Sequence, residues 1–401
     1  MRNSEENTAI SFDEAFEMMM DSARLLGTER ISIIDNGAFN RVLRQDVASD
    51  MDIPPFDKSA MDGYACRRED LGGELTVIET LPAGLQPKKT IGLGQCSKIM
   101  TGAVVPAGAD CVIMVEYTEE AGEDKIRFTG SNTKNNICLR GEDGKKGNVV
   151  LRAGELIRAQ HIAILASVGC TRPLVSRQPR VGIITTGSEI VEPEKKPAAG
   201  QIRNSNGPQL SAQTADAGAI VANYGIAADK KEELAKIVNE AIAACDVVIL
   251  SGGVSVGDYD FVREILKGNG VKLLFEKIAV KPGRPMVFGV SDEAFCFGLP
   301  GNPVSTFVMF ELFVRPFLFK MMGHDFKPVV SQRRLGRAIT RKNVERSSWL
   351  PVVYEDEDSV VQVEYHGSAH INALCKADAL LCVPSGVAKV EKGTIVAVRQ
   401  I

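Results

Sequence analysis

No two of the nine cysteines stand in a Cys-x-x-Cys spacing, and their number is odd. That argues against a disulfide framework and for reduced thiols in a cytoplasmic setting. Most of them have apolar neighbours, as in Phe295-Cys296-Phe297 and Leu381-Cys382-Val383, which suits small core residues better than ligands or nucleophiles. A basic excess is missing too: 47 Lys and Arg face 51 Asp and Glu, for a formal net charge of -4. The chain therefore has no electrostatic footprint for nucleic acid. No apolar run is long enough to span a membrane, and the polar start Met1-Arg2-Asn3-Ser4-Glu5-Glu6 lacks the features of a secretory signal. Repeats, low-complexity tracts and a Cys-His or Ser-His nucleophilic pair are also absent, so covalent catalysis by the protein is not expected.

What is there is an ordinary globular composition, 44% hydrophobic and 24% charged over 401 residues, long enough for two to four domains. Ser11-Phe12-Asp13-Glu14 is a capping box that opens a helix. Short β-rich pieces follow, split by glycines and prolines, and Gln160–Val168 reads as helix again. From Val181 strands and helices alternate, ending in a helix over Pro303–Met321, which implies a doubly wound, mostly parallel α/β sheet. Asp229-Lys230-Lys231-Glu232 caps one of its helices. The expected fold is multidomain α/β. An N-terminal helical and β domain spans 1–56 and 146–176, and a β-rich domain is inserted at 57–145. The α/β domain covers 177–327, and a β-barrel-like domain follows at 328–401.

Three runs carry the chemistry: Ser251-Gly252-Gly253-Val254-Ser255, Lys281-Pro282-Gly283-Arg284-Pro285 and Pro300-Gly301-Asn302-Pro303. The first and third follow short apolar runs, so they sit at strand ends, where ligands of parallel sheets bind. Glycines there let backbone N–H groups approach an oxyanion. Asn302 as N-cap and Pro303 in the first turn would start a helix whose N-terminus faces the same anion.

Four such strand ends share one rim, and Glu189, Asp229, Asp258 and Asp260 add carboxylates to it. Carboxylates beside anion loops make sense if Mg²⁺ bridges them to phosphate oxygens; for Asp258 or Asp260 a plain helix cap is the competing reading. Lys277, Lys281 and Arg284 are candidate phosphate or oxyanion contacts. His366 and His370 lie in a loop around Gly367 and are not read as a metal pair.

Taken with Asp57-Lys58-Ser59-Ala60-Met61-Asp62-Gly63-Tyr64-Ala65, Lys98-Ile99-Met100-Thr101-Gly102 and Arg140-Gly141-Glu142-Asp143, these runs resemble the molybdopterin molybdenumtransferase family, the MoeA and gephyrin E-domain type, over nearly the whole chain. The resemblance implies a homodimer that inserts molybdate into adenylated molybdopterin and releases AMP with Mg²⁺. It also implies transient contact with the pathway's adenylyltransferase. Glu189 and Asp260 would hold the metal. Asp62, Thr101 and Asp143 would close the cleft from the partner subunit and act in catalysis with Glu189, Asp229 and Asp260. Gly252, Gly253, Ser255, Lys277, Lys281, Arg284, Pro300, Gly301, Asn302, Pro303 and Ser368 would bind substrate.

Three positions depart from the family pattern: Cys138 and Pro351 where arginines are usual, and Asn204 where Asp is common. Arg140, Arg346 or His370 are the candidates to replace the missing charge. Two rival functions remain: a molybdopterin adenylyltransferase or nucleotide hydrolase on the same α/β domain, and a non-catalytic scaffold. The inserted domain weighs against the first, and the lack of a long linker or second module against the second.

Overall fold

The computed structural model describes residues 9–35, 37–228, 230–254 and 261–401. Its centre is a six-stranded sheet with the strand order Ile220–Ala227, Arg180–Thr186, Val247–Ser251, Phe295–Leu299, Val287–Val290, Lys272–Phe275. The first four are parallel, and the last two join antiparallel. Strand and helix contacts follow from a period of two. Val247 and Ile249, with Phe295 and Phe297, face the helices Asn206–Asp216 and Pro303–Met309. Val248, Leu250 and Cys296 face Lys231–Ala244 and Val262–Gly268 on the other side. Both faces are covered, which is why the strands read as unbroken apolar runs. On the first face Phe317 stands edge-on to Phe288, Phe295 and Phe297, at centroid distances of 5.6, 4.8 and 5.5 Å. Burying each such ring contributes about 1.5–3 kcal/mol.

The C-terminal part is a closed barrel. Strands Ser347–Tyr354, Ser359–Gln362, Val330–Leu335, Ile395–Gln400 and Ala379–Val383 follow one another, and the last pairs back with the first. The α/β part lends it Val280–Lys281, paired parallel with Ser347 and Ser348. A third six-stranded sheet lies between residues 63 and 128. Gly63 is needed there, since a Cβ would stand 1.9 Å from the Ile113 carbonyl oxygen. The segments on either side of this sheet pair with each other, Thr28–Arg30 with Leu174–Ser176 and Val47–Ala48 with Val149–Leu151. All nine cysteines are free, five of them buried. Among the described residues no helix is long and apolar enough to cross a membrane.

Several expected elements differ in detail. Helix Phe12–Ser22 is capped by Ser11, whose hydroxyl accepts from the Glu14 N–H at 3.1 Å. The Lys231–Ala244 helix has Lys230 at its N-cap with no side-chain capping bond, and Asp229 lies outside the described residues. The helix expected from Pro208 begins at Asn206, because Asn204 Oδ1 accepts the Gly207 N–H at 2.9 Å. The long helix expected over Pro303–Met321 contains a π turn at Phe310–Val314 just before Pro316.

Candidate active site

A cleft of about 700 Å³ opens at the carboxyl ends of Arg180–Thr186, Val247–Ser251 and Phe295–Leu299. The chain leaves Arg180–Thr186 toward one edge of the sheet and returns through Val247–Ser251 on its other side. Crevices form at such switch points, because successive connections depart to opposite faces. Gly252 (φ +98°) and Gly253 (φ +64°) make the floor. A Cβ on Gly252 would lie 2.4 Å from the Thr186 carbonyl oxygen, and one on Gly301 would lie 3.6 Å from Gly252 Cα. The two glycine loops therefore touch. The Gly252 N–H donates to the Leu299 carbonyl at 3.1 Å, so this amide serves the sheet and not a bound anion, against the expectation for it. Ser255 and Asp260 lie outside the described residues, as does Asp229.

Asn206 ties the loops together. Its Nδ2 donates to Ser251 Oγ at 2.9 Å and to the Gly301 carbonyl at 2.8 Å, while Ser251 Oγ donates to the Pro300 carbonyl at 3.2 Å. Asn206 Oδ1 and Thr186 Oγ1 are buried at the cleft with no partner among the described residues, an arrangement that costs about 1–3 kcal/mol per group. Asn204 Nδ2 donates to Thr185 Oγ1 at 3.0 Å, a bond that an aspartate could not donate. Sequence reading missed the Arg203–Asn206 wall of the cleft. Its signal was the run of cap-forming residues Asn204-Ser205-Asn206 before Gly207 and Pro208.

Glu189 lines the cleft and is exposed. Its carboxylate occupies the space left by Gly187, where a Cβ would stand 2.8 Å from Oε2. Pro300, Gly301, Asn302 and Pro303 all line the cleft. Asn302 holds the expected N-cap position but makes no capping bond. Its amide donates instead to Ser368 Oγ at 2.9 Å, and the Ser368 carbonyl accepts the Val304 N–H at 3.1 Å. One donor of that helix end is thus filled by the barrel loop, which also brings Ala369 and Ile371 to the cleft.

Lys281 and Arg284 are exposed and precede Pro285, the residue of that run that lines the cleft. Gly283 (φ +113°) packs so closely that a Cβ would meet Met309 at 2.7 Å. Lys277 is half-buried just upstream, its carbonyl accepting the Ile10 N–H at 3.2 Å. His366 and His370 stack in a loop at 4.8 Å, and no group of three metal-binding side chains occurs among the described residues.

Comparison with known proteins settles the family. Residues 10–169 match the MoeA N-terminal region, 182–320 a probable molybdopterin binding domain, and 332–401 the MoeA C-terminal region. The chain belongs to the MoeA family. It is 35% identical to the molybdopterin molybdenumtransferase of Staphylococcus epidermidis, covering 98% of this chain and 96% of that one. The enzyme of the same name from Staphylococcus aureus is 36% identical, with 89% and 87% covered. The crystal structure of the molybdopterin biosynthesis MoeA protein of Pyrococcus horikoshii superposes with a TM-score of 0.84 at 32% identity, covering 98% of this chain and all of the other.

Within this MoeA chain, no described residue of 57–145 lines the cleft. Asp62 and Thr101 come together at the end of the inserted sheet, just before strand Gly63–Cys66 and just after strand Gln95–Ile99. Asp62 Oδ1 accepts the Thr101 N–H at 2.6 Å and its hydroxyl at 2.7 Å, and these two bonds, the backbone one first, hold the Asp62 carboxyl below its ordinary range. Asp143 is exposed, its N–H donating to the Ile53 carbonyl at 3.0 Å. The Cys138 thiol is pushed up, chiefly by burial and then by Glu142. Arg140, the candidate to replace the missing charge there, is exposed, and its Nε is held by Asp52 Oδ2 at 2.6 Å. Pro351 sits inside a barrel strand, opposite Leu380.

Proposed function

We propose that the chain inserts molybdate into adenylated molybdopterin and releases AMP, the last step in building the molybdenum cofactor. The carrying observation is the cleft at the sheet's switch point, floored by two touching glycine loops and lined by Thr186 Oγ1 and Asn206 Oδ1, which have no partner among the described residues. The names of the relatives support the same reading. The adenylate and its phosphates lie over Gly252-Gly253 and Pro300–Pro303. Molybdate lies between Ser368 and the exposed Lys281 and Arg284. No protein nucleophile is needed; positioning and electrostatics carry the step.

The donors present suit Mg²⁺. An exposed Glu189 carboxylate lines the cleft together with a buried Thr186 hydroxyl that has no partner among the described residues, and Mg²⁺ takes one or two carboxylates, substrate phosphates and several waters. Glu189 and Asp260 would hold the ion, which neutralises charge on the phosphoanhydride oxygens. Asp62, Thr101 and Asp143 complete the site from the partner subunit of a homodimer, and the free thiols suit the cytoplasm.

The test is AMP release from adenylated molybdopterin in the presence of molybdate and Mg²⁺, set beside turnover of molybdopterin with ATP. The first reaction is expected, and its loss in Asp260→Ala with the fold intact. Turnover of ATP without the first reaction would identify an adenylyltransferase instead. Unchanged Mg²⁺ dependence in Asp260→Ala would remove that residue from the site.

A further inference from the structure

A second cavity of about 570 Å³ shares no lining residue with the cleft. It lies between helix Asn206–Asp216, the long helix after Pro303, and the chain at 326–329 and 399–401. Its charge pattern begins with a defect in the long helix. At the π turn the Arg315 N–H reaches back to the Phe310 carbonyl, and the next residue, Pro316, has no N–H to give. The Glu311 carbonyl is left without a helical donor, and Arg399 Nη2 donates to it from the barrel.

The Glu311 carboxylate is occupied separately. Arg315 donates Nε to Oε2 at 2.7 Å and Nη2 to Oε1 at 3.0 Å, and Gln213 Nε2 donates to Oε1 at 2.7 Å. Arg315 also pairs with Asp216 at 2.9 Å. Arg399, only 9% exposed, therefore has no carboxylate of its own among the described residues, and it lines the cavity. Burial pulls its guanidinium down to about 10, which leaves it charged at neutral pH.

Four cationic side chains, Arg158, Arg315, Lys327 and Arg399, line this space with Asp216 and Glu311. Arg315 pairs with both carboxylates and Lys327 with Asp325 at 3.4 Å, so Arg158 and Arg399 are the cations left without a carboxylate partner among the described residues. A buried guanidinium without a counter-charge is costly. One bond to a carbonyl leaves most of its donor fork open, and that fork matches a carboxylate or phosphate. Phe307, Phe326 and Pro328 supply apolar wall, with the Phe326 ring centre 5.9 Å from the Arg399 guanidinium carbon.

We propose that this cavity binds a small organic anion, a carboxylate or phosphate ester with an apolar body, held through Arg399. The one tryptophan, Trp349, lines an adjoining pocket that shares Arg399, Phe326 and Pro328, so its fluorescence reports locally and not on the cleft. The full chain is titrated with cyclohexanecarboxylate, cyclohexyl phosphate, inorganic phosphate and the neutral cyclohexylmethanol. Saturable binding is expected for one or both cyclohexyl anions, about tenfold or more tighter than for the alcohol. Arg399→Met should lose that factor, and Arg399→Lys should fall between. Ala212→Phe, at an exposed helix position on the cavity wall, should block binding with Arg399 intact, and it decides the matter if Arg399→Met does not fold. Equal affinity for acid and alcohol, no saturation, or full binding in both Arg399→Met and Ala212→Phe would overturn the proposal. Inorganic phosphate binding as tightly as the cyclohexyl anions would overturn its apolar half.

Discussion

In the cleft, buried polar groups gather at the carboxyl ends of the sheet, and two of them, Thr186 Oγ1 at a strand end and Asn206 Oδ1 at the start of helix Asn206–Asp216, have no partner among the described residues. In the inserted sheet, Asp62 and Thr101 are exposed and satisfy each other. On the proposed function the two regions would each supply half of one site, by opposite means. Buried groups left open favour a ligand that fills them. An exposed pair has no such deficit, so Asp62 gains a role only when another surface is laid against it.

The comparison breaks first at Gly252. Gly252→Ala forces a side chain onto positive φ and against the Thr186 carbonyl, an expected loss of about 2–4 kcal/mol of stability. Urea denaturation measures it, and a loss under 1 kcal/mol would mean that the loop shifts freely. Asn206→Ala removes the tie between Ser251 and Gly301 but also an unpaired acceptor. A smaller loss of about 1–2 kcal/mol is expected, with binding of adenylated substrate weakened more than that, which calorimetry on the folded variant resolves.

The smallest effect belongs to the inserted sheet. The folded-state pKa of Asp62 is depressed by Thr101. Its contribution to stability is therefore present above the ordinary aspartate range and lost as pH falls through the depressed value. Thr101→Val removes the hydroxyl donor and keeps the amide. The Asp62 pKa should move up toward 3.8 and the acid-side loss shrink, as a carboxyl-detected NMR titration would show. An unmoved pKa would mean that the backbone N–H alone sets it.

The sheet and its rim were legible because Val247–Leu250 and Phe295–Phe297 are apolar on both faces and end in glycine. The barrel was legible as alternating strands; its closure rests on pairing between Ser347–Tyr354 and Ala379–Val383, which no local pattern announces. Asn302 was read at the right position with the wrong partner, since only the fold brings Ser368 to it. The Arg203–Asn206 wall was missed because a cap-forming run looks the same whether it ends in solvent or in a cleft. The π turn needed two facts at once, Pro316 in the chain and Arg399 arriving from the barrel.

The claim that these two halves form one site is tested most directly by mixing subunits. Asp62→Ala and Glu189→Ala proteins, each inactive alone, are unfolded together, refolded and assayed for molybdate-dependent AMP release. If the cleft of one subunit is closed by the inserted sheet of the other, mixed dimers carry both substitutions in one site and neither in the second, and about a quarter of wild-type activity returns under random pairing. Mixtures as inactive as their parents, with dimers shown to have exchanged, would contradict a shared site.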